Sequence, residues 1–215
     1  MESAAHLQRL VPGAVLVGGS AAILYADHRE SRDHDHVLPD LAERFEMVLE
    51  AVEEDEGWAT NRVTPGKVIL GNLDGIEAGV RQMIRKAPLE VTTFKLPSGA
   101  EIKVPTLEET LRIKAFLIVR RNQTRNYLDV AALAAALGTA KAGEVLSRIG
   151  EYYGDQGKSD DGVASQLARQ LGEPQPADSQ VVAQLSSYRR LRQEWKDWDA
   201  VTETLQEVAA RMAAG

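Results

Sequence analysis

The stretch "LVGGSAAILYADHRESRDHDHVL", residues 16–38, decides the fold. Two glycines and a serine follow an apolar run, and a charged segment then leads into "DHDHVL". We predict a short buried strand at 14–19 that ends in a glycine turn, and a second strand at 33–38. Between them, "AAILYAD" (21–27) predicts a short helix capped by Ser20.

The second strand carries paired carboxylates. Because alternate residues of a strand share a face, Asp33 and Asp35 should point one way, whereas His34 and His36 point the other. Two carboxylates side by side repel each other unless a cation lies between them, and oxygen ligands suit Mg²⁺ or Mn²⁺. Two alternatives stay open: the aspartates are turn residues, or "DHDH" forms a mixed histidine–aspartate metal site, which the alternation disfavours.

The glycine turn offers a place for phosphate. Gly18 and Gly19 allow close approach to the backbone, and Ser20 opens a helix whose first N–H groups are free. A phosphate-binding turn followed by a carboxylate pair predicts a nucleotide site.

The bulk properties are those of an ordinary globular chain of 215 residues, with 44% apolar and 27% charged residues and no cysteine. We expect a cytoplasmic protein, since no secretory leader or long apolar run is evident. The net charge of −7 conceals a basic middle third: residues 1–60 carry −9, 61–125 carry +6 and 126–215 carry −4. Such a basic stretch could follow a polyanion, although charges also segregate by chance.

The rest of the chain divides into a strand-rich part and a helical part. We predict an α/β domain over 1–105 and a helical domain over 106–215. The tryptophans Trp58, Trp195 and Trp198 are expected in the core, and loops at Asp160–Gly162 and 172–179. Apolar periodicity predicts helices between Asp40 and Gly57 and at 106–121, 124–137 and 140–153, and strands at 67–70, 89–96 and 100–105.

The motifs resemble those of the nucleotidyltransferase superfamily with the DNA polymerase β-like fold, and within it the AbiEii/MenA-type nucleotidyltransferase toxin family. That family combines the Gly-Gly-Ser/Thr turn with an "hR-x-S-x-D-x-D" element, matched here by "HRESRDHD". A lysine and an "R-D-x-x-D" element on later helices are matched by Lys114, Arg125 and Asp129. The likeness covers about residues 14–137, and it departs at His34, usually apolar, and at Asn126, often aspartate.

The resemblance implies an α+β fold, with a polymerase β-like nucleotidyltransferase sheet followed by a C-terminal helical bundle. It also implies a metal-dependent nucleotidyltransferase that uses a nucleoside triphosphate. Asp33 and Asp35 would then bind Mg²⁺, Lys114 would neutralise a phosphate, and Asp129 would orient Lys114 or activate the acceptor. Nucleotide contacts would come from Gly18, Gly19, Ser20, Arg29 and Ser31. The third carboxylate of the wider superfamily would be Glu90.

The resemblance further implies a toxin of a toxin–antitoxin system that adds nucleotides to RNA, at the 3′ end of tRNA, and so blocks translation. A cognate antitoxin would be its partner, and Ser31 or Ser20 would be candidate phosphorylation sites. The RNA would follow a group of basic residues: Arg81, Arg85, Lys86, Lys95, Lys103, Arg120, Arg121 and Arg125.

Alternative interpretations remain at this stage. Lys114 could be a solvated helix residue, Asp129 could pair only with Arg125 four residues earlier, and His28 could be a packed or surface histidine. The enzyme could instead modify an aminoglycoside-type small molecule or a protein, or the chain could keep the fold without the activity.

Overall fold

The computed structural model describes residues 1–156, 162–188 and 190–214. The chain forms two compact units. The sheet unit comprises Met1–Ala21 and Ser31–Thr106, and the helical unit comprises Ala22–Glu30 and Leu107–Gly215. The helical unit thus takes a short segment from the first hundred residues, because Ala22 belongs to its apolar core.

Among the residues that the structure describes, all strands lie in the sheet unit. They are β1 (Val15–Leu16), β2 (Asp33–Leu38), β3 (Trp58–Thr64), β4 (Val68–Leu73), β5 (Ile76–Gln82), β6 (Val91–Lys95) and β7 (Glu101–Pro105).

The helices of the described residues are shared between the units. They are α1 (Glu2–Leu10), α2 (Gly18–Ala26), α3 (Phe45–Glu53), α4 (Leu107–Arg121), α5 (Thr124–Leu137), α6 (Thr139–Ser147), α7 (Gly150–Tyr153), α8 (Gly162–Gly172), α9 (Ser179–Ala183) and α10 (Trp198–Ala214).

Within the described residues, a five-stranded sheet has the order β1-β2-β5-β4-β3, and β6 and β7 form a separate hairpin. Strand β2 is antiparallel to β1 and parallel to β5. Apolar residues of α1, α3 and the sheet make the core of the unit, among them Leu7, Phe45 and Ile69. The carboxylate-bearing strand is therefore paired on both sides, which holds its register firmly.

The alternation predicted for β2 is confirmed. His34, His36 and Leu38 are buried, whereas Asp33 is exposed and Asp35 is half-buried. The two aspartates therefore share the more open face of the strand, and the histidines face the interior.

Several element boundaries differ from the prediction. Helix α3 begins at Phe45 rather than after Asp40, because the Asp40 carbonyl accepts hydrogen bonds from the amides of Glu43 and Arg44 in a preceding turn. Strands β3 and β5 and helix α1 were not predicted. The hairpin of β6 and β7, and helix α5, lie where the sequence placed them.

The helical unit has its own apolar core, built mainly from α4, α5, α6, α8 and α10. Trp195 is buried in it and Trp198 packs against it, and Trp58 is buried in the sheet unit, as predicted. The predicted loop at Asp160–Gly162 lies outside the described residues except for Gly162, which begins α8.

Helix α6 crosses α10 closely at Gly143. A Cβ atom at this position would lie 2.3 Å from Arg211 Cβ, whereas a Cβ at Gly150 would meet nothing within 4 Å. We therefore expect Gly143→Ala to lower the free energy of unfolding by about 1–2 kcal/mol through overpacking, despite the better helix propensity of alanine.

Gly150→Ala is the matched control, because it makes the same chemical change at an open helix position. Urea unfolding of both variants should show the control at or above wild-type stability. Equal stability of the two variants would contradict the close crossing of α6 and α10.

Candidate active site

The glycine turn runs directly beside the Asp35 carboxylate. The Val17 amide donates a hydrogen bond of 2.8 Å to the Asp35 carbonyl, which extends the pairing of β1 with β2. Gly18 has a φ of +74°, and a Cβ added to it would lie 3.6 Å from Asp35 Oδ2. Glycine is favoured here because its backbone adopts this left-handed conformation without strain. The turn therefore brings main chain, without a side chain, against one carboxylate oxygen.

Each aspartate of β2 has one polar partner on its open face. Ser31 Oγ donates to Asp33 Oδ1 at 2.8 Å, and Arg81 Nε donates to Asp35 Oδ1 at 3.0 Å. Both aspartates remain partly exposed to solvent. Arg81 was predicted only as part of a basic stretch, and the structure places it on a carboxylate of the pair.

Ser20 has a structural role that the sequence did not reveal. Its side chain is 1% exposed, and Oγ donates to the Asp33 carbonyl at 2.5 Å while lying 3.3 Å from His34 Nδ1. The predicted cap is wrong, because α2 already begins at Gly18. A buried and bonded hydroxyl is also poorly suited to modification, so Ser31 is the better of the two expected phosphorylation sites.

The strand beside the carboxylates is β5, which the sequence analysis missed. Its register places Glu77 opposite Asp33 and Gly79 opposite Asp35. Glu90, the expected third carboxylate, instead precedes β6 and so lies outside the five-stranded sheet. In "IEAGVRQ", glycine and charged residues interrupt the alternation of apolar and polar residues that predicts a strand, so apolar periodicity did not indicate β5.

The donor set of this face fits a magnesium ion that substrate phosphates help to bind. No group of three or more histidine, aspartate or glutamate side chains suited to a metal occurs among the described residues. Mg²⁺ is commonly held by one or two carboxylates together with phosphate oxygens, and Asp35 Oδ2 faces the open glycine turn. His36 does not join such a site, because its ring is buried on the interior face of β2, opposite the two aspartates. The same burial lowers the pKa of His36 to about 4.

The helical unit contains a second polar cluster, centred on Asp129. This carboxylate is fully buried and binds three basic side chains. Lys114 Nζ lies 2.7 Å from Oδ2, and His28 Nε2 lies 2.7 Å from Oδ1. Arg29 donates from Nε to Oδ1 at 2.7 Å and from Nη2 to Oδ2 at 3.1 Å. We call these four residues the Asp129 cluster.

The electrostatics of the cluster favour an ionised Asp129. Burial alone would raise the pKa of Asp129, but the charges of Lys114 and Arg29 and the hydrogen bond from His28 hold it well below the usual 3.8. Because the carboxylate is an acceptor, His28 Nε2 carries the hydrogen of their bond. The single negative charge of Asp129 thus lies between two basic side chains, Lys114 and Arg29, in the interior of the unit.

These contacts decide between the interpretations of the helical residues. Lys114 is 3% exposed, so it is not a solvated helix residue. Arg125 is exposed on α5, and the partners that bind Asp129 come from other segments. Arg29 was predicted as a nucleotide contact, and in this structure its guanidinium donates to Asp129 and to the Glu30 carbonyl. His28, expected to be only a packed or surface residue, is a full member of the cluster.

Three solved structures share the fold of this chain at low sequence identity. JHP933 from Helicobacter pylori aligns with 99% of this chain and 88% of its own, at 16% identity and a TM-score of 0.53. ANT(2″)-Ia, solved in complex with adenylyl-2″-tobramycin, covers 69% of this chain and 92% of its own, at 16% identity and a TM-score of 0.51. The chain has a nucleotidyltransferase fold. A further H. pylori protein, proposed to be a nucleotidyltransferase, aligns equally widely with a TM-score of 0.51.

Sequence comparison finds a different set of relatives. A stretch of 128 residues is 34% identical to the mycolic acid-containing lipids exporter MmpL11 of Mycolicibacterium smegmatis. A stretch of 94 residues is 38% identical to the heme uptake protein MmpL11 of Mycobacterium tuberculosis. The chain spans only 13% and 10% of the lengths of these two relatives. No protein-family model matches the chain.

The membrane-spanning potential of the described helices is limited. No single one is long and apolar enough to cross a bilayer. The segments Thr124–Leu137 and Thr139–Gln156 are together long and apolar enough by length and composition alone, but the chain bends by 116° at the break between them.

The Asp129 cluster predicts a stability effect that surface carboxylates lack. Asp129→Asn keeps the shape but leaves Lys114 and Arg29 without a buried counter-charge, so we expect unfolding free energy to fall by about 3–5 kcal/mol. Because the pKa of Asp129 is depressed, its contribution is present above about pH 4 and is lost only as pH falls through the depressed value. The deficit should therefore be the same at pH 7 and pH 5.

Asp199→Asn is the control, since Asp199 is an exposed carboxylate in the first turn of α10. Urea unfolding should place this variant within about 1 kcal/mol of the wild type. A deficit for Asp129→Asn no larger than that of the control would show that the cluster does not stabilise the helical unit.

Proposed function

We propose that the protein is a magnesium-dependent nucleotidyltransferase that moves a nucleoside monophosphate from a nucleoside triphosphate to an acceptor hydroxyl. The observation that carries the proposal is the pair Asp33 and Asp35 on one face of β2, beside the Gly18 turn, in a chain with a nucleotidyltransferase fold. The acceptor hydroxyl oxygen forms a bond to the α-phosphorus and releases its proton to the surrounding water. The bond from the α-phosphorus to the bridging oxygen breaks, and pyrophosphate leaves.

The sheet unit supplies the carboxylates and the turn in this proposal. Asp33 and Asp35 would hold Mg²⁺, which neutralises phosphate charge and stabilises the developing charge on the reacting oxygens. The main chain of Gly18 and Gly19 would accept the triphosphate at the start of α2. Arg81 donates a hydrogen bond to Asp35 Oδ1 and would hold that carboxylate in place on the open face.

The helical unit supplies positive charge. In the proposal Lys114 neutralises a phosphate group, and Asp129 orients Lys114 rather than activating the acceptor. A fully buried carboxylate held by Lys114, His28 and Arg29 is built for orientation, because its oxygens already accept hydrogen bonds. This arrangement supports one of the two roles that the sequence left open for Asp129.

For the acceptor we propose RNA, with the 3′ end of tRNA as the specific site. The support is the motif resemblance together with exposed basic residues in each unit. In the sheet unit these are Lys86, Lys95 and Lys103, and in the helical unit they are Arg120, Arg121 and Arg125. Arg85 is not part of the proposed RNA-contacting group, because it is 3% exposed and donates to the carbonyls of Ala87 and Pro88.

A second candidate is transfer to a small molecule such as an aminoglycoside. It is favoured by the fold likeness to ANT(2″)-Ia, whose structure contains an adenylylated tobramycin. It uses the same carboxylates, so only the acceptor separates it from the RNA proposal.

The biological role that we propose is that of a cytoplasmic toxin, kept inactive by a cognate antitoxin protein. This part rests on the family resemblance. Ser31 is the proposed point of control, since its hydroxyl is partly exposed and bonds to Asp33, one of the carboxylates of the pair.

The carboxylate pair is tested by Asp35→Asn. Purified protein is mixed with Mg²⁺, each α-labelled nucleoside triphosphate in turn, and either total tRNA or an aminoglycoside panel. The wild type should label tRNA, and Asp35→Asn should lower labelling to background while its unfolding curve stays near that of the wild type, because the removed charge is partly exposed.

Asp40→Asn is a matched control. Asp40 also pairs with an arginine at 3.0 Å on the surface of the sheet unit, through Arg44, so it loses the same kind of ion pair away from β2. It should keep wild-type labelling. Full activity of Asp35→Asn would overturn the proposed function, and label only in aminoglycosides would select the second candidate.

The acceptor is tested further by salt. If RNA phosphates contact several basic residues, the logarithm of the binding constant for tRNA should fall linearly with the logarithm of salt concentration, by about 0.7 for each contact. Arg120→Gln and Arg125→Gln should each lower this slope by about 0.7.

Arg148→Gln serves as the control for charge alone, because Arg148 is exposed and already pairs with Glu151. It should leave the slope unchanged. A salt-independent affinity for tRNA in the wild type would contradict an RNA acceptor.

A further inference from the structure

A short segment near the C-terminal end of the chain is fastened to the core of the helical unit. This strap, Arg190–Trp195, follows α9 and precedes α10. Leu191 and Trp195 are buried in the apolar core, so the segment is held on both sides of Arg192. The motif resemblance ends near residue 137 and assigns nothing to this region.

The strap contacts the loop Asp27–Glu30, which joins α2 to the charged part of the opening motif. The Arg192 amide donates a hydrogen bond of 2.9 Å to the carbonyl of His28. The Arg192 side chain also pairs with Asp27, and the Arg190 side chain pairs with Glu30. All of these residues belong to the helical unit.

The same loop carries half of the Asp129 cluster. His28 and Arg29 reach Asp129 with their side chains while the His28 main chain is held by the strap. Contacts therefore run without interruption from the buried Trp195 and Leu191 through Arg192 to His28, and from Asp129 to Lys114. A shift of the loop would move two of the three basic partners of Asp129.

We propose that Arg192 is a positioning residue for nucleotidyl transfer, acting through its main-chain N–H on His28 and so on Asp129 and Lys114. The inference rests on the proposed function and deepens it, because it makes the strap part of the machinery that places the positive charge. The main chain matters more than the side chain. The ion pair of Arg192 with Asp27 is exposed, at 50% and 81% of the two side chains, and such pairs contribute little.

A proline substitution isolates the main-chain hydrogen bond. Arg192 has φ −59° and ψ 146°, which proline adopts without strain, so Arg192→Pro removes the N–H and keeps the path of the chain. Arg192→Ala removes the same side chain and keeps the N–H. Gln193→Pro is the matched proline control, because Gln193 is exposed and begins a 3₁₀ turn, where proline is tolerated.

We expect Arg192→Pro to lower kcat about tenfold or more, since small misplacements of a charged group are costly in transfer reactions. Arg192→Ala and Gln193→Pro should stay within about twofold of the wild type, the range of a lost exposed ion pair. Amide hydrogen exchange of residues 27–30 should be faster in Arg192→Pro and unchanged in Gln193→Pro. This second readout does not depend on activity.

The outcomes separate the two proposals. Equal transfer and equal loop exchange in Arg192→Pro and Gln193→Pro would overturn the positioning role. If the wild type transfers no nucleotide while loop exchange still rises in Arg192→Pro, the hydrogen bond stands and the nucleotidyl-transfer role of both proposals falls. If Arg192→Pro does not fold, exchange in the wild type decides: an Arg192 amide that exchanges as fast as that of exposed Gln193 would overturn the proposal.

Discussion

An ionised carboxylate in a dry interior is the constraint on which the helical unit depends. Removing a charge from water is costly, and the cost is met only when the charge is paired and every oxygen accepts hydrogen bonds. Asp129 meets both conditions through Lys114, Arg29 and His28. Because Lys114 lies on α4, Asp129 on α5, and His28 and Arg29 in the loop after α2, the pairing holds these three segments to one another.

The carboxylates of the sheet unit obey the opposite rule. Asp33 and Asp35 are partly exposed, and each carboxylate has a single polar side-chain partner among the described residues. The strand that carries them is paired on both sides and buries its histidines, which makes it a rigid support. In our proposal the buried carboxylate orients Lys114 and the exposed pair binds magnesium, and this difference follows from solvent access.

Local patterns were enough to predict much of this chain. The alternation in "DHDHVL" predicted which side chains share the open face, and apolar periodicity predicted α5 and the hairpin of β6 and β7. The Gly-Gly-Ser turn and the later lysine and aspartate indicated the nucleotidyltransferase fold that the solved structures share. Strand β5 was not predicted, because glycine and charged residues interrupt its apolar pattern. The position of Glu77 opposite Asp33 was therefore not predicted either.

The sequence by itself determined what depends on neighbours along the chain: the turn, the strand faces and the amphipathic helices. Only the tertiary structure decided which distant side chains meet. Arg29 and Asp129 are separated by a hundred positions, and Arg192 and His28 by still more, so no local spacing announces their contacts. Those contacts are set by the cost of burying charge and main-chain polar groups, which has meaning only once the chain has packed and water has left.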